Sequence, residues 1–204
     1  MSPNPNQHSK VVLSLSILFL GGVLWVWLGR KPAAMTPTAI TPPAETARQE
    51  LVQRDDHWYR KGETIPFTGR MIDFYPGGEV LARCDIGNGL PNGVSETWYT
   101  NGQMQVREHF KNGISNGLRE KWYANGNKLS RAMISEGKVT GTFRSWHDNG
   151  QLAEQIEMKF GKADGIAWAY YPSGFVKAET TVRDSQILDR KSWKDGELAA
   201  SAPP

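Results

Sequence analysis

Cysteine is nearly absent. Cys84 is the only one in the chain, so no disulfide can form within it, and no cysteine follows the apolar N-terminal run where a lipid-attachment site would need one. Histidine is scarce too. His57 follows Asp55-Asp56 and His147 precedes Asp148, but neither pair has the further ligands a metal site requires, so no metal or other cofactor is expected. No HExxH spacing, Gly-rich phosphate loop or nucleophile beside a base occurs, and the expected function is not that of an enzyme. Charge of one sign is also lacking. Lys and Arg total 24 against 21 Asp and Glu, interspersed and without a basic arm, which argues against nucleic acid as a partner. The net charge of +3 leaves room for an acidic partner without demanding one.

Glycine, by contrast, is abundant and periodic. Gly69, Gly93, Gly117, Gly141 and Gly165 follow one another at intervals of 24 residues. Each is followed five residues on by a large aromatic (Phe74, Trp98, Trp122, Trp146, Tyr170) and then by a second ring (Tyr75, Tyr99, Tyr123, His147, Tyr171). A fixed period of this size marks a repeated supersecondary unit. Asn-Gly at 101–102, 125–126 and 149–150 predicts hairpins with type I′ turns, and alternation in the following stretch predicts strands with one buried face. Val80/Ala82/Cys84/Ile86 and Met104/Val106/Phe110 are such apolar rows, and Glu108 interrupts the second. The expected fold is all-β: an elongated single layer of antiparallel hairpins, with units near 69–92, 93–116, 117–140, 141–164 and 165–188 plus caps.

One hairpin cannot bury its own apolar face, so neighbours must stack. Trp98, Trp122 and Trp146 are expected in the core between units, and the tyrosine column along one margin, where the hydroxyls find water or a partner. Arg83, Arg107 and Arg131 share one repeat position and would align into a basic stripe able to grip carboxylates, phosphates or lipid headgroups. With Tyr99 and Tyr123 they form the candidate binding set. The plainer alternative is a solvated face. Glu96 and Glu120 form a second column, with Arg144 at the next matching slot, and pairing with the arginines would neutralise both.

The stretches Gly93-Val-Ser-Glu-Thr-Trp98-Tyr99-Thr-Asn101-Gly102 and Gly117-Leu-Arg-Glu-Lys-Trp122-Tyr123-Ala-Asn125-Gly126 resemble the MORN-type repeat. More closely they resemble the bacterial variant grouped as YwqK-family antitoxin repeats. The likeness covers about residues 58–196. It implies a meander of hairpins that binds proteins or lipids, and it brings no catalytic residues.

Upstream, a short tail (1–10) precedes a charge-free apolar run, Val11–Leu28, bounded by Lys10 and by Arg30-Lys31. That length can span a bilayer, and Trp25 and Trp27 suit the interface, so residues 11–29 are expected to form an uncleaved transmembrane helix. A Pro/Thr/Ala-rich linker (30–54) leads to the repeat domain (55–198), with a disordered tail at 199–204. His57–Gly62 reads as a degenerate opening hairpin ending at Pro66. The expectation is a single-pass membrane protein with its repeats extracytoplasmic (periplasmic), acting as a scaffold or accessory subunit for a membrane-associated protein partner in an envelope complex. The alternatives are an antitoxin-like regulator of a partner effector, or a module for anionic lipid or glycan.

Overall fold

The computed structural model describes residues 44–197. The expected tail, transmembrane helix, first part of the linker and C-terminal tail lie outside these residues. Among the described residues no helix is long and apolar enough to cross a membrane. The linker expected over 30–54 ends earlier than its composition suggests. Glu45–Ala47 is strand β1, Arg48–Glu50 is a single 3-10 turn, and Leu51–Arg54 is β2, paired antiparallel with β3 (His57–Arg60).

From Gly69 the chain repeats one motif. The hairpins are β4 (Gly69–Phe74) with β5 (Val80–Gly87), β6 (Leu90–Trp98) with β7 (Met104–Lys111), and β9 (Gly117–Trp122) with β10 (Lys128–Ser135). Then come β11 (Lys138–Trp146) with β12 (Leu152–Lys159), and β13 (Lys162–Tyr170) with β14 (Val176–Arg183). A short β8 (Ile114–Ser115) pairs with β7 just before β9, and β15 (Gln186–Ser192) ends the row. In the main sheet the strands from β4 to β15 pair antiparallel in chain order, β7 pairing with β9 past the short β8, and β1 adds in parallel to β4 at the N-terminal edge; β2 and β3 pair only with each other.

The two margins of the sheet use different turns, and the assignment of type I′ to the Asn-Gly dipeptides at 101–102, 125–126 and 149–150 is corrected. At Tyr99–Gln103 the Gly102 N–H donates to Tyr99 O at 2.9 Å and the Tyr99 N–H to Gln103 O at 2.8 Å. Gly102 has φ of 81°, whereas Asn101 stays outside the positive-φ region and its Oδ1 accepts the Gln103 N–H at 3.0 Å. This is a three-residue loop, a type I turn closed by a left-handed glycine. Type I′ geometry lies at the opposite margin. There both turn residues have positive φ: 50° and 80° at Asn88-Gly89, 50° and 75° at Glu136-Gly137, 48° and 87° at Phe160-Gly161.

At three of the five 24-residue positions the glycine has a steric reason across the sheet, whereas a Cβ on Gly141 would meet open space and one on Gly69 would meet Phe67. Gly117 sits in its strand at φ 124°, and a Cβ there would lie 3.0 Å from the Cβ of His109, eight residues earlier on the adjacent strand. Gly93 repeats the arrangement against Asp85, and Gly165 against Glu157. In register opposite these glycines stand bulky apolar residues of the second strands, Phe110, Ile134 and Val182.

The core is thin and divided. Leu51, Phe67, Cys84 and Ile86 are buried together at the N-terminal end, with Trp58 and Met71 packed against them. Here the β2–β3 hairpin begins earlier than expected and lies across one face as a separate two-stranded sheet. Ala132 and Ile134 are buried in the middle, and Tyr170, Val176, Ala178 and Val182 toward the end. Strands β6, β7, β9, β11 and β12 hold no buried residue. The expectation that Trp98, Trp122 and Trp146 form the core is therefore corrected. All three are half-buried, because a single layer offers nothing to cover them.

Candidate functional site: the charged face of the sheet

Cross-strand partners in an antiparallel sheet project to the same face. Register therefore builds one continuous row: Arg83 opposite Glu96, Glu96 opposite Arg107, Arg107 opposite Glu120, Glu120 opposite Arg131, Arg131 opposite Arg144, and Arg144 opposite Gln155. The arginine column and the glutamate column are one ladder. Its first part alternates in sign. Arg107 binds Glu96 through Nε at 2.9 Å and Nη2 at 2.8 Å. Arg83 turns instead to Glu45 on β1: its enclosed Nε lies 2.8 Å from Glu45 Oε1, close as an ion pair but off-axis for a hydrogen bond. On the same face, Arg70 donates to Asp85 Oδ1 at 2.7 Å, and this bond raises the Arg70 pKa above its ordinary value.

The alternation then fails. Arg131 Nε lies 4.0 Å from Glu120 Oε1, while Lys128 Nζ holds that same oxygen at 2.8 Å. Arg144 Nε donates to the neutral Gln155 Oε1 at 2.8 Å. Between the two arginines lies a shallow groove of about 240 Å³ lined by Leu118, Arg131, Met133, Thr142 and Arg144. The tryptophans border this face. The Arg83 guanidinium stands 5.3 Å from the Trp98 ring centre and the Lys128 ammonium 5.9 Å from that of Trp146. Both separations fit cation–π attraction.

The tyrosines of the candidate set have structural partners. Tyr99 Oη donates to Trp122 O and Tyr123 Oη to Trp146 O, each at 2.9 Å. Tyr75 does the same to Trp98 O at 2.8 Å, and His147 Nε2 to Tyr170 O at 2.9 Å. Asparagines of the loops add a parallel stitch, Asn125 Nδ2 to Asp148 O at 2.9 Å and Asn149 Nδ2 to Pro172 O at 2.7 Å. Along the other margin the Gly113 N–H donates to Pro91 O at 2.7 Å and the Gly137 N–H to Ser115 O at 2.9 Å. Each unit is thus stitched to the next at both edges.

The opposite face explains the interruption at Glu108. Its carboxylate accepts from Arg119 Nε at 2.7 Å and from the Ser115 hydroxyl, so an ion pair replaces the apolar contact that other units make there. Arg119 and Glu45 were missed as partners in the sequence. The break in parity at Glu108 pointed toward the first. Nothing local pointed to the second, which lies 38 residues before Arg83 in a stretch read as linker.

Tandem hairpins in one antiparallel layer, stitched by ring hydroxyls to the carbonyls of the next unit, define a β-repeat protein. The family described as "MORN repeat variant" matches residues 91–112 and 139–159, so these two hairpins are similar to MORN-type repeats. Each matched stretch covers one loop-linked hairpin, β6–β7 or β11–β12, and the two begin two periods apart. No curated protein sequence matches the chain.

Proposed function

We propose that this protein is a membrane-anchored binding module that recognises a protein partner across the open face of its sheet and acts as an accessory or scaffold subunit. One observation carries the reading: five strands between β6 and β12 contain no buried residue. Sheets ordinarily bury at least one face. Five strands whose side chains all stay at least partly accessible, stitched to their neighbours along both margins, offer an extended surface whose chemistry is set by those side chains. Residues 11–29 supply the anchor in this reading, 30–44 the spacer, and the repeats stand outside the cytoplasm. The finer likeness to antitoxin repeats belongs to the same mode of action with a different partner.

The test is to tag the C-terminus, solubilise native membranes gently and identify what co-purifies by mass spectrometry. A stoichiometric membrane protein supports the scaffold reading. A small cytoplasmic effector replaces it with the antitoxin reading and reverses the orientation. If no protein co-purifies, the reading fails in favour of lipid or glycan binding. Protease access to the tagged domain in intact cells with a permeabilised outer envelope checks the orientation independently.

A further inference from the structure

We propose that the Arg131–Arg144 groove binds a carboxylate-bearing, extended segment of the partner protein. The inference rests on the protein-binding reading above and adds the place and chemistry of contact. Like charges directly opposite on neighbouring strands repel, and elsewhere on this row arginines are interleaved with carboxylates. Arg131 and Arg144 face each other in register with little compensation. The Glu120 oxygen nearest Arg131 is already held by Lys128, and Arg144 is held by an uncharged amide. Glu157, in register opposite the groove residue Thr142, accepts from Thr142 Oγ1 at 2.8 Å and makes no ion pair with either arginine among the described residues. Among the described residues, two guanidinium groups therefore hold N–H donors without a partner beside one groove, an arrangement that matches a carboxylate held by two forks.

The rest of the groove argues for a peptide. Leu118 and Met133 line it, and Met133 is 49% exposed, a large apolar surface beside the two charges. A free inorganic anion would use the arginines and leave that surface wet. A planar anionic membrane would meet Glu96, Glu120 and Glu179 of the same row along with the arginines, and would be repelled on either side. An acidic residue next to an aliphatic one satisfies both parts of the groove, and an extended segment can place them there without approaching the neighbouring glutamates.

The experiment uses the full-length chain in mild detergent and a fluorescein-labelled blocked peptide, Gly-Leu-Glu-Glu-Leu-Gly, followed by fluorescence anisotropy. Its glutamine twin, inorganic phosphate and phosphatidylglycerol vesicles serve as competitors. The acidic peptide is expected to bind with strong salt dependence. Arg131→Gln and Arg144→Gln should each weaken it by at least about tenfold, the scale of a lost charge-assisted hydrogen bond. Arg144→Lys, which keeps charge and loses the fork, should fall between, and Lys162→Gln, in an exposed ion pair with Asp184 away from the groove, should leave binding unchanged. Circular dichroism confirms that each variant is folded. The proposal is overturned by no peptide binding at millimolar concentration, by equal binding of the glutamine twin, by indifference to both arginine substitutions, or by competition from vesicles or phosphate that exceeds the peptide's own affinity. A partner that co-purifies equally well with Arg144→Gln sinks this inference and leaves the protein-binding reading intact. Absence of any partner sinks that reading.

Discussion

Phe160 holds the first position of a type I′ turn at φ 48° and is 77% exposed. In the equivalent slots stand Asn88, Asn112, Glu136 and Asp184, most of them short polar residues that tolerate left-handed backbone. A bulky aromatic there is strained and gains nothing from burial. Phe160→Asn should raise stability by about 1 kcal/mol, read as a higher urea midpoint at unchanged slope. Gly117→Ala should act the other way, losing about 1–3 kcal/mol to backbone strain and to the close approach of His109. The glycine period was plain in the sequence, but its cause was not. It depends on a φ value and on a neighbour across the sheet, neither of which spacing reveals. Asn-Gly misled for a related reason. The dipeptide suits both a type I′ turn and the last two residues of a three-residue loop, and here the Asn101 side chain favours the loop by taking the Gln103 N–H.

The β2–β3 hairpin supplies Leu51 to the cluster that covers Cys84. Leu51→Ala should cost about 2–4 kcal/mol and speed alkylation of Cys84 by iodoacetamide, followed by mass spectrometry, as the hairpin lifts from the sheet. Burial pushes the Cys84 thiol above its ordinary pKa. The folded state thus holds that proton more tightly than the unfolded chain. The resulting stabilisation is complete below the unfolded thiol pKa and lost as pH rises through the folded one. An alkaline denaturation profile should show this loss, and Cys84→Ala should remove it. Between neighbouring repeats, Tyr123→Phe deletes the hydroxyl bond to Trp146 O and should cost about 1 kcal/mol in thermal unfolding. The charged ladder was half legible. Period-2 parity brought the arginines into one column and showed Arg144 where Glu96 and Glu120 stand. That Arg144 would face Arg131 follows from register, which loop geometry sets. The Arg83–Glu45 pair needed the parallel strand β1, which Pro and Thr nearby concealed.

At the scale of the whole sheet, one end is covered and the other is not. β1 and the β2–β3 hairpin close the first unit, whereas every residue of β15 is exposed and no strand pairs with its outer edge among the described residues. Because units touch only their neighbours, opening should begin at that edge and proceed unit by unit. Amide hydrogen exchange should be fastest in β15, and the Leu51→Ala lesion should leave protection of β13 and β14 unaltered. A single collective exchange rate across β4–β15 would contradict this picture. The tyrosine stitch has a further consequence. Since Tyr99 asks only for a carbonyl in the next unit, and Tyr123 asks the same one unit later, the molecule has no preferred number of units. Deleting residues 117–140 would join Asn116 to Gly141, two positions that already succeed each other in kind, and would offer Trp146 O to the Tyr99 hydroxyl. The shortened chain should fold with its stitching intact but without Arg131. Its length is a quantity that can change by whole steps, and the acidic-segment site can be removed in one of them.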